Sequence, residues 1–375
     1  MKRQIVDKKS NGKPVVYTPP DGITCLDEVK EMITMPDFDA KTVSAMGNHD
    51  QVQIDVRVVA ELREYIGVIA STYRQDNAFH NFEHACHVTL SVNKLLKRIA
   101  APDLNQKQIG NMKEGEWASQ LHDFTHGIIS DPLAVFAVIF SALIHDVDHQ
   151  GVSNKQLMKE DPAMGKRYRN KSVAEQNSLD ISWEFLMSPQ FDNLRSCLFG
   201  TEDELLRFRQ LVVNVVLATD IFDKELNDRR KLRWKRAFSE SRLDPQDVSN
   251  LRATIVLEHI IQASDVSHTM QHWHVYQKWN KQLFKEMNTA FCEGRMDVDP
   301  SQFWYQSELD FFDNYIIPLA RKLKECNVFG VSSDEFLNYA TMNRAEWEDR
   351  GRDIVKEMIA DFDSSSATTS EVFHV

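Results

Sequence analysis

The sequence is poor in the two residues that most often interrupt regular structure. Of its 375 residues only 13 are glycine and 11 are proline, which is few for a fold that turns often. Long segments are instead rich in Leu, Ala, Glu, Lys, Arg and Met, the residues with high helix propensity. No convincing strand pattern or repeat is present, so the composition predicts an all-α fold.

Cysteine and long apolar runs are also scarce. The five cysteines are odd in number and scattered, without a C-x-x-C pair, which favours reduced thiols over a disulfide framework. The longest apolar stretch, residues 133–144, is shorter than the ~20 residues that cross a bilayer. The charged start of the chain is not followed by the apolar segment of a secretory signal. These features predict a soluble, cytoplasmic domain without a membrane span.

Positive charge is in deficit, because 44 Lys and Arg residues face 56 Asp and Glu residues, for a formal net charge of -12. Proteins that bind nucleic acid neutralise its phosphates with clustered lysine and arginine, so we expect no nucleic-acid partner. A small phosphate-bearing ligand is still compatible, because bound divalent cations add local positive charge that this count omits.

The chain divides into three parts. Residues 1–40 contain the turn cluster 18–22 and are predicted to be a leader, either packed on the main body or connecting it to a larger signalling protein. Residues 41–362 are predicted to form one domain, and no pattern indicates its oligomeric state. Apolar spacing predicts helices at 58–73, 84–99, 132–145, 204–218, 251–264, 275–291 and 308–323. Residues 363–375, rich in serine and threonine, are predicted to be a disordered tail.

Histidine and carboxylate concentrate in two segments, Phe79–His84 and His145–His149. Each segment holds two histidines four residues apart, which on a helix would lie on one face. The second segment ends an apolar run, and Asp265 ends another. Two imidazoles and two carboxylates suit Zn²⁺ or another first-row divalent ion, and the candidate ligands are His84, His145, Asp146 and Asp265.

A carboxylate of this set can also bridge to a second, harder ion. Two ions about 3.5–4 Å apart can share a hydroxide and clamp a phosphoryl group, which fits phosphodiester hydrolysis. Each pattern is weak by itself, because a lone H-x-x-x-H is more often an ordinary pair. The His122–Asp123 dipeptide, interpreted as a loop, receives no metal role, and His259 is expected to be an ordinary core or surface histidine.

Several motifs, in this order along the chain, resemble the class I cyclic nucleotide phosphodiesterases, a branch of the HD metal-dependent phosphohydrolases. They are HNxxHAxxV at 80–88, HDVDHxGVSN at 145–154, SVxE at 172–175, LATD at 217–220 and ASDVSH at 263–268, and the resemblance covers about residues 50 to 360. It implies a compact helical domain that hydrolyses cGMP, cAMP or both to the 5′-monophosphate. It also implies Zn²⁺ on His84, His145, Asp146 and Asp265, with Mg²⁺ or Mn²⁺ sharing Asp146.

The same resemblance implies roles for further residues. His80 would be the general acid that protonates the departing 3′ oxygen, and Glu286 would orient it, although an ordinary solvated helix residue is an alternative for Glu286. Glu175 has a second, compatible interpretation, because residues 172–175 form a capping-box pattern. The residues that would hold metal-bound waters are His149, Glu175 and Thr219.

The resemblance also outlines a purine pocket between Phe311 and Leu283. The chain departs from the family where a purine-selective glutamine is usual, because this position is Glu308 and the nearest glutamine is Gln306. An ionised carboxylate only accepts hydrogen bonds, so Glu308 favours guanine, which presents two donors. A helix bulge that restored Gln306 would cancel this preference.

Two further departures lie in the same pocket, His268 for a common asparagine and Phe79 for a common tyrosine. Two other functions stay open at this point. Another HD-type nucleotide phosphohydrolase would share the metals but not the paired pocket of Phe311 and Leu283. A non-catalytic cyclic-nucleotide sensor would bind the ligand in the altered pocket without turnover.

Overall fold

The computed structural model describes residues 14–39, 53–99, 114–239, 243–330 and 332–372, and within these ranges all regular secondary structure is helical. The predicted all-α class is therefore confirmed. The α-helices, in chain order, are α1 Cys25–Glu28, α2 Val56–Thr72, α3 Phe82–Arg98, α4 Glu114–Phe124, α5 Pro132–Ile144, α6 Asn154–Glu160, α7 Pro162–Arg167, α8 Val173–Met187, α9 Asp192–Leu198, α10 Glu202–Leu217, α11 Lys224–Ser239, α12 Pro245–Asp265, α13 Trp273–Cys292, α14 Trp304–Phe311, α15 Ile317–Glu325 and α16 Ser332–Val372.

The predicted helical segments correspond to these helices, with one difference. Segment 308–323 is divided by a π-helical turn at Phe312–Ile316 between α14 and α15. Within the described ranges, no helix combines the length and apolarity that a membrane crossing needs.

Helices α3, α5 and α12 form the centre of the fold. Helix α5 is apolar on all sides, as expected for a helix enclosed by others, and it packs against α3, α10 and α12. Its start is well defined, because Asp131 accepts a hydrogen bond from the Leu133 N–H at 3.1 Å and Pro132 occupies the first helical position. The position of α5 in the centre means that the residues at its end lie inside the protein.

The candidate ligands lie next to the ends of these three helices. Helix α3 begins at Phe82, just after His80, and α5 ends at Ile144, just before His145. Neither histidine pair lies within one helix, because His80 precedes α3 and His149 follows α5, in agreement with the predicted segments 84–99 and 132–145. Helix α12 ends at Asp265 as predicted. The histidines converge because packed helices start and end close together.

Residues 14–39 of the predicted leader pack on the main body. The N–H groups of Ile33 and Met35 donate to Thr254 Oγ1 and Asn250 Oδ1, each at 2.9 Å. Both of these apolar side chains are buried, so this stretch contributes to the core. The predicted turn is also present, with the Ile23 N–H donating to Pro20 O at 3.1 Å. The predicted boundary between residues 40 and 41 falls outside the described residues.

The end of the chain differs from the predicted tail. Helix α16 continues to Val372, so residues 363–372 are helical, and residues 373–375 lie outside the described ranges. Serine and threonine are only moderate helix formers. Extending an existing helix, however, does not repeat the unfavourable nucleation step. The spacing of apolar residues in the sequence does not show whether a helix is extended in this way.

Candidate active site

Two imidazoles and two carboxylates meet at one point near the ends of α3, α5 and α12. Asp265 Oδ1 lies 3.1 Å from His84 Nε2 and 3.4 Å from His145 Nε2. Asp146 Oδ2 lies 3.1 Å from His145 Nε2 and 3.9 Å from His84 Nε2. Both histidines are fully buried, whereas the carboxylates are partly exposed. The structure thus brings together the ligand set expected from the sequence.

The orientation of His145 fits a metal ligand. Its Nδ1 lies 2.9 Å from Ala142 O, and because a carbonyl only accepts, Nδ1 carries the proton. The buried Nε2 atom then faces the carboxylates of Asp146 and Asp265. Such an arrangement is unfavourable unless a cation or a proton lies between the groups. These residues therefore fit a divalent metal ion.

Both carboxylates of the set are ionised. Burial works against the charged form, yet contacts with His145 hold the pKa of Asp146 well below its usual range. His145 and His84 together do the same to the pKa of Asp265, again against the effect of burial. Ionised carboxylates that face imidazole nitrogens are the state in which this set would bind a cation.

His80 is held by Glu286, which reaches it from α13. His80 Nδ1 hydrogen-bonds Glu286 Oε1, and Glu286 Oε2 accepts from the N–H groups of Phe79 and His80 at 2.7 and 2.9 Å. Burial lowers the pKa of His80, but Glu286 outweighs it and raises this pKa to about 9. Burial likewise opposes ionisation of Glu286, yet His80 lowers the pKa of Glu286 to about 2. Glu286 is 5% exposed, so the alternative of a solvated helix residue is wrong.

His149 lies directly against His80, with 3.9 Å between the ring centroids. Burial lowers the pKa of His149 to about 4, so this imidazole is neutral. Asn77 fixes the backbone of both histidines, because its Nδ2 donates to His80 O at 3.0 Å and to His149 O at 2.7 Å. The sequence analysis missed Asn77, since a single asparagine outside the motifs carries no signal of its own.

Asn77 also explains why residue 151, in the HDVDHxGVSN motif, is a glycine. Gly151 has φ +68°, in the left-handed region that glycine adopts most easily. A Cβ atom at this position would lie 2.8 Å from Asn77 Oδ1. Any side chain would therefore displace the asparagine that positions His80 and His149.

Glu175 lies in the first turn of α8, but not in a capping box. Ser172 has φ +41°, and its hydroxyl donates to Asp220 Oδ2 at 2.7 Å. Asn154 caps the helix instead, because its Oδ1 accepts from the Ala174 N–H at 2.8 Å while its Nδ2 donates to Glu175 Oε2 at 3.0 Å. The capping-box interpretation is therefore wrong. Burial and the nearby Asp220 raise the pKa of Glu175 to about 8.

Three further residues were considered in the sequence analysis, Thr219 as a water-binding residue and His259 and His122 as histidines without a metal role. The Thr219 hydroxyl donates to Val216 O at 2.8 Å, at the end of α10. His259 is buried in the middle of α12 and donates to Ile255 O at 2.7 Å, which confirms it as a core histidine. His122 lies in the last turn of α4, so its assignment to a loop is wrong.

The pair Phe79 and His268 packs beside the metal ligands. The Phe79 ring lies 4.5 Å from the His84 ring and 5.7 Å from the His268 ring, measured between centroids. Trp279 of α13 lies 5.7 Å from Phe79 and 5.5 Å from His84. Burial lowers the pKa of His268 to about 3. Trp279 was not predicted as a site residue, because an aromatic residue in a helical pattern resembles ordinary core.

The proposed base pocket lies between α13 and α14. Glu308 is buried and accepts a hydrogen bond from the Tyr276 hydroxyl at 2.7 Å. Gln306 is exposed and donates to Asp310 at 3.0 Å. The π turn at Phe312–Ile316 follows both residues, so a bulge exists but does not bury Gln306. Phe311 stacks on Tyr315 with 5.4 Å between centroids, and the Leu283 side chain is partly buried on α13.

Comparisons with known proteins agree with these observations. Residues 79–331 match the profile of the 3′5′-cyclic nucleotide phosphodiesterase family. A probable 3′,5′-cyclic-AMP phosphodiesterase of Caenorhabditis elegans is 27% identical over 56% of this chain and 27% of its own length. The dual specificity calcium/calmodulin-dependent 3′,5′-cyclic nucleotide phosphodiesterase 1C of Mus musculus is 26% identical over 65% of this chain and 31% of its own length. The chain thus spans less than a third of these relatives.

A solved structure shows the same fold. The phosphodiesterase domain of Salpingoeca rosetta rhodopsin phosphodiesterase superposes with a TM-score of 0.61 at 19% identity, covering 87% of this chain and 93% of that domain. The family match spans well over half of the chain, including His80, the candidate metal ligands and Glu308. The chain therefore belongs to the 3′,5′-cyclic nucleotide phosphodiesterase family.

Proposed function

We propose that this chain hydrolyses a 3′,5′-cyclic nucleotide, cGMP, cAMP or both, to the 5′-monophosphate. The supporting observation is the close approach of Asp265 and Asp146 to the buried histidines His84 and His145, in a chain of this family. We assign Zn²⁺ to these four ligands. A second ion, Mg²⁺ or Mn²⁺, would share Asp146.

Divalent ions bound at this point would polarise the phosphate and lower the pKa of a nucleophilic water molecule. The chain's own residues supply the proton for the leaving group. Glu286 keeps His80 charged and oriented, so that His80 can protonate the 3′ oxygen as the P–O bond breaks. The water-binding side chains around the ions would be His149, Glu175 and Thr219.

The nucleoside would lie between α13 and α14. Phe311 and Leu283 would contact the two faces of the purine, which adds affinity without selecting the base. The polar edge of the base would face Glu308. Phe79 and His268 would line the end of the pocket nearest the metal ligands, where their rings already contact each other.

Product analysis tests this proposal directly. We expect the purified chain to convert cyclic nucleotide to the 5′-monophosphate with loss of activity in chelator, and we expect His80→Ala to lower kcat by about 10²–10⁴-fold. His274→Ala is the matched control, because His274 is exposed. Release of inorganic phosphate from nucleotide monophosphates would instead indicate another HD-type phosphohydrolase. Binding with no turnover beyond the His80→Ala level would indicate a sensor.

A further inference from the structure

A chain of hydrogen bonds between α14 and α13 ends on Glu308. The indole N–H of Trp304, which can only donate, binds Asn280 Oδ1 at 3.2 Å. This contact orients the Asn280 amide so that its Nδ2 donates to the Tyr276 hydroxyl at 3.4 Å. The Tyr276 hydroxyl in turn donates to Glu308 Oε2 at 2.7 Å. All of these side chains are buried.

The direction of this chain is set at its first member. Because Trp304 cannot accept, each later group receives a hydrogen bond from one side and donates to the next. Glu308 accepts from the Tyr276 hydroxyl through Oε2, and a carboxyl group has further acceptor positions that can face a ligand. An amide at this position could rotate to present either a donor or an acceptor, whereas the protonation state of Glu308 decides what the carboxyl presents.

Glu308 also lies where a purine edge would be. It precedes Phe311 by three residues on α14, so both share one helix face. Tyr276, Asn280 and Leu283 share a face of α13 by the same spacing. The hydrogen bond between Tyr276 and Glu308 joins these two faces, so the carboxyl lies beside the two apolar side chains that we assign to the base.

The two protonation states of Glu308 match different bases. An ionised carboxylate accepts only, which suits the adjacent N1–H and N2–H₂ donors of guanine. A protonated carboxyl group offers one donor and one acceptor, which suits the acceptor N1 and the donor N6 of adenine. The choice between the bases therefore follows the proton on Glu308.

The surroundings place this proton in equilibrium near neutral pH. Burial raises the pKa of Glu308, the hydrogen bonds from Tyr276 and Asn280 lower it, and the result is a pKa of about 7. Burial raises the pKa of Tyr276 well above its usual range, so that hydroxyl stays neutral. On the same helix, Asp310 is exposed and binds Gln306.

Helix α16 packs against α14, and its charged side chains near this contact have other partners. Arg344 pairs with Asp313 at 3.0 Å and also with Glu348. Arg352 lies over the Tyr305 ring at 4.0 Å. The ion pairs in this region thus lie away from Glu308, and solvent exclusion together with two neutral donors determines its charge.

We propose that Glu308 makes base selection pH-dependent, so that guanine is preferred when the carboxyl is ionised and adenine gains when it carries a proton. The inference rests on the proposed hydrolysis of cyclic nucleotides. It assigns to this chain a specificity that a permanently neutral amide at the same position would not give.

The test is the ratio of kcat/KM for cGMP to kcat/KM for cAMP, measured from about pH 6 to about pH 8.5. Titrations that affect both substrates equally, such as those of His80 or the metal ligands, cancel in this ratio. When one base gains a charge-assisted hydrogen bond and the other base loses one, the ratio of the two kcat/KM values changes by about tenfold. We expect the ratio to rise about tenfold across this interval.

Three variants identify the group responsible. Glu308→Gln replaces the titrating carboxyl with an amide, so its ratio should not change with pH. Tyr276→Phe removes a hydrogen bond that lowers the Glu308 pKa, so the rise should move to higher pH, which also tests the proposal if Glu308→Gln folds poorly. Asp310→Asn removes an exposed carboxylate two residues away and should keep the unaltered profile.

The outcomes separate this inference from the proposed function. A ratio that is constant with pH, while both substrates are hydrolysed, overturns the inference alone. A rise of the same size in Glu308→Gln overturns the assignment to Glu308. Failure to hydrolyse either substrate at any pH overturns the proposed function on which the inference rests.

Discussion

The candidate metal centre and the proposed base pocket are built in different ways. The metal ligands lie near helix ends, where α3 begins and where α5 and α12 end. Three residues of the proposed pocket, Leu283, Glu308 and Phe311, lie on α13 and α14. In the metal centre each carboxylate contacts both histidines, so its members depend on one another.

The departures from the family pattern lie in one of these two regions. All four candidate metal ligands lie in motifs that resemble the family, whereas the departures at Glu308, His268 and Phe79 concern the proposed pocket. Helix α13 connects the two regions, because its Glu286 binds His80 while its Tyr276 binds Glu308. We therefore expect selectivity to change without loss of catalysis, and the following substitutions test this separation.

The largest effect should come from Asp265→Ala. Asp265 contacts both candidate imidazole ligands, and its loss would leave two buried histidines with one carboxylate. We expect metal content to fall and kcat/KM to drop by about a thousandfold or more, since a Lewis-acid metal contributes several kcal/mol. Metal content by elemental analysis and rates on both cyclic nucleotides are the measurements. Asp297→Ala, at an exposed position, is the control, and undiminished metal content in Asp265→Ala would disprove the ligand assignment.

A smaller effect is expected for Glu286→Gln. The amide keeps the size of the side chain but removes the charge that raises the His80 pKa, so fewer molecules would hold the catalytic proton. We expect kcat to fall about 10²-fold while KM and metal content change little. Glu293→Gln, at an exposed position after the end of α13, is the control. Equal losses of metal and of kcat would show that Glu286 supports the centre as a whole.

The smallest effect is expected for Leu283→Ala. Leu283 would contribute apolar contact to either purine, so we expect KM to rise about tenfold for both cyclic nucleotides, with kcat and the base ratio nearly unchanged. Steady-state kinetics on the two substrates measures this. Leu232→Ala, at an exposed leucine of α11, is the control. A rise in KM for only one of the two cyclic nucleotides would show that Leu283 contributes to base selection. Affinity and specificity would then not be separate.

The sequence predicted the members of the site better than their local structure. His84, His145, Asp146 and Asp265 were predicted as one set from their motifs, and the structure places these side chains together. The π-helical turn that divides the predicted segment 308–323 was missed, because apolar spacing does not distinguish a π turn from a continuous α-helix. The capping box at Ser172 was wrong for a similar reason, since Asp220, distant in sequence, binds the serine hydroxyl.

The sequence by itself determined the helical class, the candidate ligands and the unusual carboxyl at position 308, because these depend on residue chemistry and local spacing. Only the tertiary structure decided that Asn77 positions His80 and His149, and that the hydrogen-bond chain from Trp304 ends on Glu308. These contacts join residues that are distant along the chain. The direction of these hydrogen bonds and the burial of the side chains arise only when the helices pack. Burial and hydrogen-bond direction together determine whether a side chain is charged and which hydrogen bonds it can make.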